Sequence, residues 1–410
     1  MKYSLLLHPL IVFFGVSTFA LLNWFLTPFD LFARWGVVHL ADRVLLLGIW
    51  AVTGMSFVIG TIAALVVFQG EGRVASLDVR RLDQVYWVSV GLSVFSFAFF
   101  VLNAIVRGGV GALLDPYTSR EYYVTGITTW VHFGTATVVL CLLLKSVGLC
   151  TPWKIVGGVV VLGTLAFRSV LGAERLALFV PLLGGLVAWM VLRQIRFRLW
   201  HAIAVPLVPV LFFGAFAAME YGRSYKSRIK DGHIEAGLLS YSFERIQLYY
   251  ALSVNSGGLL YELVEDTGES YPVFGGTVGP LSDITRRLFP PGIYLPGEKP
   301  ITKDVGREMA EGGMYNPEFN NKWGLVTPYL EGRIVGFFYW MIAGFVGAAI
   351  HRSAMRSQSI FSIAALGVFI AGLVDAASRV NLLAGSQILF PLVLLLLAKV
   401  LVERKETLAY

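Results

Sequence analysis

Two arginines interrupt the apolar sequence at a short hairpin. The stretch RSVLGAERLALF, residues 168–179, separates two apolar runs and carries Arg168 and Arg175. A guanidinium group binds phosphate oxygens through two parallel hydrogen bonds and stays charged at any accessible pH. We therefore predict that Arg168 and Arg175 bind a pyrophosphate group. Arginines that only extend to lipid headgroups would give the same pattern.

Further arginines follow the apolar sequence that ends at residue 219. Arg223 lies in the basic stretch directly after it, and Arg286 and Arg287 belong to SDITRRLFPPGIYLPGEKP, residues 282–300. Prolines fix backbone turns and would hold the paired arginines on a rigid loop. Rigid presentation favours an anion site, so these three arginines are also predicted to bind pyrophosphate.

Three glutamates close to these arginines are candidate catalytic bases. Glu220 precedes Arg223 by three residues, Glu244 lies in the stretch 242–250, and Glu331 precedes a later apolar run. A carboxylate whose pKa is raised by burial can accept a proton from a sugar hydroxyl. Ordinary ion pairs at helix ends would explain the same residues.

Two tyrosines, Tyr249 and Tyr250, follow Glu244 by about one helical turn and a half. Aromatic rings pack on the apolar faces of sugar rings, which makes this pair a candidate glycan contact. Tyrosines are also enriched where helices meet the membrane surface. The sequence leaves both interpretations open.

The elements that position these side chains are predicted to be membrane-spanning helices. The chain has 410 residues, of which 56% are hydrophobic and 14% are charged, whereas soluble domains are about 25% charged. We predict an all-α polytopic membrane protein with about ten transmembrane helices. The predicted spans are 5–26, 44–68, 85–106, 124–144, 155–172, 176–192, 200–219, 333–350, 358–376 and 380–402.

The predicted helices form a single integral membrane domain around one long loop. Residues 1–219 would supply seven helices, residues 220–332 one large periplasmic loop, and residues 333–410 three helices. Within the loop, residues 240–266 are predicted to form an amphipathic helix that can lie at the membrane surface. Lysine and arginine favour cytoplasmic termini, because the short loops on that side carry about twice as many of them.

Several kinds of chemistry lack their usual sequence signals. The chain has no Gly-rich P-loop and no Gly-x-Ser-x-Gly elbow, and its histidines are scattered without metal-ligand spacing. We therefore expect no cofactor and no metal, and no basic-aromatic module indicates nucleic acid as a partner. The two cysteines, Cys141 and Cys150, fall on the predicted cytoplasmic side, which argues against a structural disulfide.

Three motifs carry a resemblance to a known family. They are RRLFPP, the downstream GEKP, and NNKWGLVTPYLEGRIVGFFYWMIAGFVGAAI, within about 282–350. With them the chain resembles the Wzy-type polymerases of O-antigen and exopolysaccharide repeat units. The resemblance implies metal-independent, inverting glycosyl transfer at the periplasmic face of a bacterial inner membrane. Donor and acceptor would both be undecaprenyl-pyrophosphate-linked oligosaccharides, and the implied partners are membrane lipid, a flippase and chain-length regulator proteins.

Three other functions remain open at this stage. An O-antigen ligase has the same layout but transfers the glycan to lipid A core, and only the Pro-rich arginine stretch favours the polymerase. A lipid-linked glycan transporter would be expected to show inverted repeats with broken helices, which are not evident. A non-catalytic scaffold would tolerate the loss of individual arginines.

Overall fold

The structure is a computed structural model that covers the chain in several stretches. It describes residues 6–68, 74–114, 122–124, 127–171, 175–195, 237–270, 299–300, 309, 311–314, 316, 323–376, 382 and 385–405.

The described residues are mainly helical. The α-helices are α1 Pro9–Leu26, α2 Phe29–Arg34, α3 Arg43–Val67, α4 Val79–Leu114, α5 Phe133–Ser146, α6 Pro152–Leu171, α7 Arg175–Leu192, α8 Leu238–Thr267, α9 Arg333–Ser357, α10 Ile360–Asp375 and α11 Ser386–Val402. Two 3₁₀-helices, Thr128–His132 and Thr327–Glu331, precede α5 and α9. Four short strands are β1 Val74–Leu77, β2 Glu269–Ser270, β3 Lys299–Pro300 and β4 Glu403–Lys405.

Several of these helices are long and apolar enough to cross a membrane. Within the described residues they are Pro9–Leu26, Arg43–Val67, Val79–Gly111, Thr128–Ser146 and Arg333–Ser357. Leu176–Leu192, Ile360–Asp375 and Ser386–Val402 are shorter apolar helices. Every predicted span except 200–219 coincides with a helix, and 200–219 lies outside the described residues. The prediction of a helical membrane protein is confirmed at this level.

Glycines allow α3 and α9 to pack backbone against backbone. A Cβ atom at Gly60 would lie 1.8 Å from the carbonyl oxygen of Met341, and one at Gly344 would lie 2.2 Å from that of Phe57. Farther along, the Arg352 guanidinium donates to the Leu65 carbonyl at 3.0 Å. Thr53 of α3 contacts Tyr329, just before α9, whereas Leu65 contacts Arg352 near the end of α9, so α3 and α9 run in the same direction. Small residues at such crossings are a common basis of helix association in membranes.

Both ends of the described chain lie on the same side of the helices. Strand β1, which follows α3, pairs antiparallel with β4, which follows α11. The His8 ring, just before α1, lies 4.5 Å from the His351 ring near the end of α9. We call this side the terminal face. The opposite side, which holds α2, α8 and the 3₁₀-helix Thr327–Glu331, is called the loop face.

Helix α8 matches the predicted helix 240–266 in extent but differs in its surroundings. All residues from Ala251 to Tyr261 are buried, so its centre is enclosed by protein. A Cβ atom at Gly257 would lie 2.8 Å from the Trp323 side chain, and one at Gly258 would lie 2.5 Å from Ala41. The two glycines therefore let neighbouring segments approach the helix closely. Helix α8 crosses the loop-face ends of α1, α3 and α9.

Candidate functional site

A groove opens on the loop face where α3, α8 and α9 meet. Its volume is about 500 Å³. Two helices supply its apolar walls, α3 through residues 45–52 and α9 through residues 334–338. Those wall residues are Leu45, Gly48, Ile49, Val52, Ile334, Phe337 and Phe338. The groove can therefore accept an apolar chain along the helices.

One end of the groove carries polar and charged side chains. Arg333 Nη2 lies 2.5 Å from Glu265 Oε1, which joins the first residue of α9 to the last turns of α8. Tyr261, one helical turn before Glu265, also lines this end. Burial raises the pKa of Tyr261 to about 12, with a further contribution from its hydrogen bond to Glu265. The phenol thus stays protonated at neutral pH and can donate a hydrogen bond.

The 3₁₀-helix Thr327–Glu331 forms a fixed turn beside this polar end. Thr53 Oγ1 lies 3.2 Å from the Tyr329 hydroxyl, which also lines the groove, and burial raises the pKa of Tyr329. The backbone N–H of Trp323 donates to the Ser253 carbonyl of α8 at 2.9 Å. Gly332, at φ +132°, turns the chain from the 3₁₀-helix into α9, a conformation that other residues rarely adopt. The turn is therefore held from both α8 and α3.

Glu331 is the predicted catalytic residue that the structure places nearest the groove. It ends the 3₁₀-helix and lies two residues before Arg333, and its side chain is 0% exposed. A carboxylate enclosed by protein is the environment in which proton transfer at neutral pH becomes possible. The prediction of a catalytic role for Glu331 stays open, and its position is compatible with one.

Arg168 lies on a different group of helices and is enclosed. It is 2% exposed, and its guanidinium carbon lies 3.6 Å from the centre of the Tyr123 ring and 4.8 Å from that of Phe100. Stacking on aromatic rings is a favourable arrangement for a guanidinium group. The sequence led us to expect Arg168 at an exposed turn. Instead, α4 and residues 122–124 cover it, so a role in binding pyrophosphate needs an approach between these segments.

Glu244 and the two tyrosines occupy the first half of α8. Glu244 Oε1 lies 3.8 Å from Arg34 Nη1 of α2, and both side chains are partly exposed. The Tyr250 ring lies 5.4 Å from Phe19 of α1 and 5.7 Å from Tyr249. The structure thus groups the predicted base with an ion-pair partner and packs Tyr250 against α1. Their predicted roles with sugars stay predictions.

The remaining predicted site residues cannot be compared with the structure. Glu220, Arg223, Arg286 and Arg287 lie outside the described residues. Helix α7 begins at Arg175, but the side chain of Arg175 also lies outside the description. Their roles stay predictions.

The polar end of the groove was not identified from the sequence. Tyr261 and Glu265 are four residues apart in a helical stretch, and this spacing was the available signal because it places them on one helix face. The pairing of Glu265 with Arg333 joins residues 68 positions apart. Among the residues that the structure describes, no group of three histidine, cysteine or acidic side chains could hold a metal ion.

No family model, no curated protein and no solved structure matches this chain. The class that the fold and site define is a helical membrane protein with an amphipathic groove on its loop face.

Proposed function

We propose that the chain is a glycosyltransferase that joins undecaprenyl-pyrophosphate-linked oligosaccharide repeat units into a longer glycan. The observation that carries this proposal is the groove between α3, α8 and α9, which has apolar walls and a charged end beside the buried Glu331. A polyprenyl lipid has the same two parts, an apolar chain and a charged head. The resemblance of the sequence to repeat-unit polymerases supports the same assignment.

Each part of the groove receives a role in this reaction. The apolar walls hold the polyprenyl chain of the donor, and Arg333 together with the Tyr261 hydroxyl contacts its pyrophosphate. A phosphate oxygen replaces Glu265 as the partner of Arg333, because guanidinium groups bind phosphate as they bind carboxylate. The Tyr261 hydroxyl likewise turns its single proton from Glu265 to a phosphate oxygen.

The chemical step is a displacement at the anomeric carbon of the donor sugar. The acceptor hydroxyl forms the new C–O bond, the bond to pyrophosphate breaks, and Glu331 takes the hydroxyl proton. Cationic and hydrogen-bonding groups stabilise the negative charge that develops on the leaving pyrophosphate, which is commonly the largest catalytic contribution. Arg168, Arg175, Arg223, Arg286 and Arg287 are the further cations proposed for this charge.

The proposed reaction takes place on the loop face, which would be periplasmic in a bacterial inner membrane. Four basic residues lie at the terminal face, beside the connection between α5 and α6 or at the ends of α7 and α9. They are Lys145, Arg193, Arg352 and Arg356. Short basic loops favour the cytoplasm. This assignment supports the orientation proposed from the sequence.

Loss of the catalytic carboxylate provides the first test. Purified protein is given lipid-linked repeat units, and the products are separated on a gel. Glu331→Gln should lower the rate at which the glycan ladder forms by about 100-fold or more, as expected for loss of a general base. Asp30→Asn is the matched control, since Asp30 is an exposed carboxylate of α2 on the same face. Equal ladders from both variants would exclude Glu331 as the base.

A blocked groove provides the second test. A Cβ atom at Gly48 meets no atom within 4 Å, so Gly48→Leu fills the groove without displacing its neighbours. It should raise the KM for the lipid-linked donor more than it lowers kcat, because it removes binding of the chain. Gly91→Leu, in an equally open position on α4, is the control.

Transfer only onto lipid A core would indicate a ligase, and no transfer at all would favour a transporter.

A further inference from the structure

The two cysteines of the chain lie next to each other on the terminal face. Cys141 belongs to the last half of α5, and Cys150 lies in the short connector that leads to α6. Their Sγ atoms are 3.9 Å apart, and both residues are partly buried free thiols. No part of the proposed glycosyl transfer uses them.

The connector that carries Cys150 is held between α5 and α6 by several contacts, among them a hydrogen bond from the Leu149 N–H to the Leu144 carbonyl of α5. Gly148, at φ +77°, provides its left-handed turn. Lys154 of α6 donates from Nζ to the Leu149 carbonyl at 3.3 Å and forms an ion pair with Asp83 of α4 at 2.6 Å. Cys141 Sγ in turn lies 3.6 Å from the Lys154 carbonyl oxygen. The fold itself therefore brings the two thiols together.

We propose that Cys141 and Cys150 are a reversible oxidation site that forms an intramolecular disulfide. The sulfur atoms must approach from 3.9 Å to about 2 Å, the length of a disulfide bond. Rotation of the two side chains and a small shift of the connector supply this movement.

A low-molecular-weight disulfide such as glutathione disulfide is the oxidant. One cysteine thiolate attacks it, forms a mixed disulfide and releases one glutathione thiolate. The second cysteine thiolate then attacks the mixed disulfide and releases the other. The protein loses two electrons and two protons, and one glutathione disulfide becomes two glutathione thiols.

The disulfide would close a small ring that includes the connector from Val147 to Cys150. It would replace the contact between Cys141 and the Lys154 carbonyl and fix the connector to α5. The terminal-face end of α6 would then be anchored covalently, while the loop-face groove stays unchanged. This inference is independent of the proposed glycosyl transfer.

The test uses the full-length protein in detergent, equilibrated with glutathione buffers of increasing disulfide fraction. Free thiols are then alkylated with a maleimide that shifts the gel band. We expect the bands for two free thiols and for none, without a stable intermediate, and an intact mass reduced by two hydrogen atoms. Dithiothreitol should restore both thiols.

The single variants Cys141→Ser and Cys150→Ser serve as matched controls. Each retains one thiol, and we expect this thiol to accumulate a glutathione mixed disulfide where the parent protein forms its internal bond. Two glutathione adducts on the parent protein would overturn the proposal. Thiols that stay reduced under conditions that oxidise the same chain unfolded in denaturant would also overturn it.

Discussion

A single buried amide, Asn255, joins three segments on the loop face. Its Oδ1 accepts hydrogen bonds from Trp24 Nε1 at 3.2 Å and from the Ala41 N–H at 3.0 Å, and its Nδ2 donates to the His39 carbonyl at 2.9 Å. Asn255→Ala would leave these groups without this partner and should lower the free energy of unfolding by about 3 kcal/mol. Thermal unfolding in detergent provides the measurement.

The neighbouring Ser256→Ala variant is the control for this prediction. Ser256 is equally buried in α8, but its hydroxyl has no hydrogen-bond partner within the described part of the chain. We expect little change in its unfolding temperature. Equal losses in both variants would mean that packing of α8, and not the amide, stabilises the loop face.

The reactivity of Cys150 is a second prediction at the residue scale. Burial and, to a smaller extent, the adjacent Cys141 raise the pKa of this thiol to about 11, whereas Lys154 and Lys145 act in the opposite direction. Tyr86 of α4 also faces the pair. Only the thiolate reacts, so alkylation by iodoacetamide should still accelerate between pH 9 and about 11. Cys141→Ser should move this acceleration to lower pH, and an unchanged profile would contradict the role of Cys141.

The sequence indicates which residue types could do chemistry but not how each is enclosed. Glu331 and Arg168 were recognised because ionisable residues are rare beside apolar stretches. Their burial depends on partners distant in the chain, such as Tyr123 for Arg168. Asn255 gave no signal because one asparagine in a helical stretch looks like a surface residue.

At the scale of elements, the crossing of α3 and α9 depends on backbone contact. Gly344→Ala would place a methyl group 2.2 Å from the Phe57 carbonyl oxygen. The helices must then separate, and we expect a loss of about 1 to 3 kcal/mol of unfolding free energy. Gly91→Ala meets no atom within 4 Å and should be neutral or slightly stabilising. Unfolding in increasing sodium dodecyl sulfate compares the two, and equal stability would contradict close packing at Gly344.

The helices themselves were largely predictable, whereas their partners were not. Hydropathy is a local property, so the apolar stretches coincide with helices wherever the structure describes them. The buried centre of α8 was missed because an amphipathic pattern is the same for a helix that faces lipid and for one that faces protein. Which glycines contact the backbone of another helix also depends on how helices far apart in the sequence cross.

At the scale of the whole molecule, the structure defines two faces, the terminal face and the loop face. The pairing of β1 with β4 and the contact of His8 with His351 place both described ends of the chain together. The sequence predicted that the termini share a side, and its charge bias predicts that this side faces the cytoplasm. The glycan chemistry proposed for the loop face requires the opposite compartment.

This orientation can be tested with cysteines introduced into the Cys141→Ser, Cys150→Ser background. Val147→Cys places a thiol in the exposed connector on the terminal face, and Asp30→Cys places one on the exposed part of α2 on the loop face. A membrane-impermeant maleimide should label the Asp30→Cys variant in spheroplasts and the Val147→Cys variant only in inverted vesicles. Labelling in the reverse pattern would put the groove and Glu331 in the cytoplasm. Periplasmic polymerisation would then be excluded, because its lipid-linked substrates would be on the other side of the membrane.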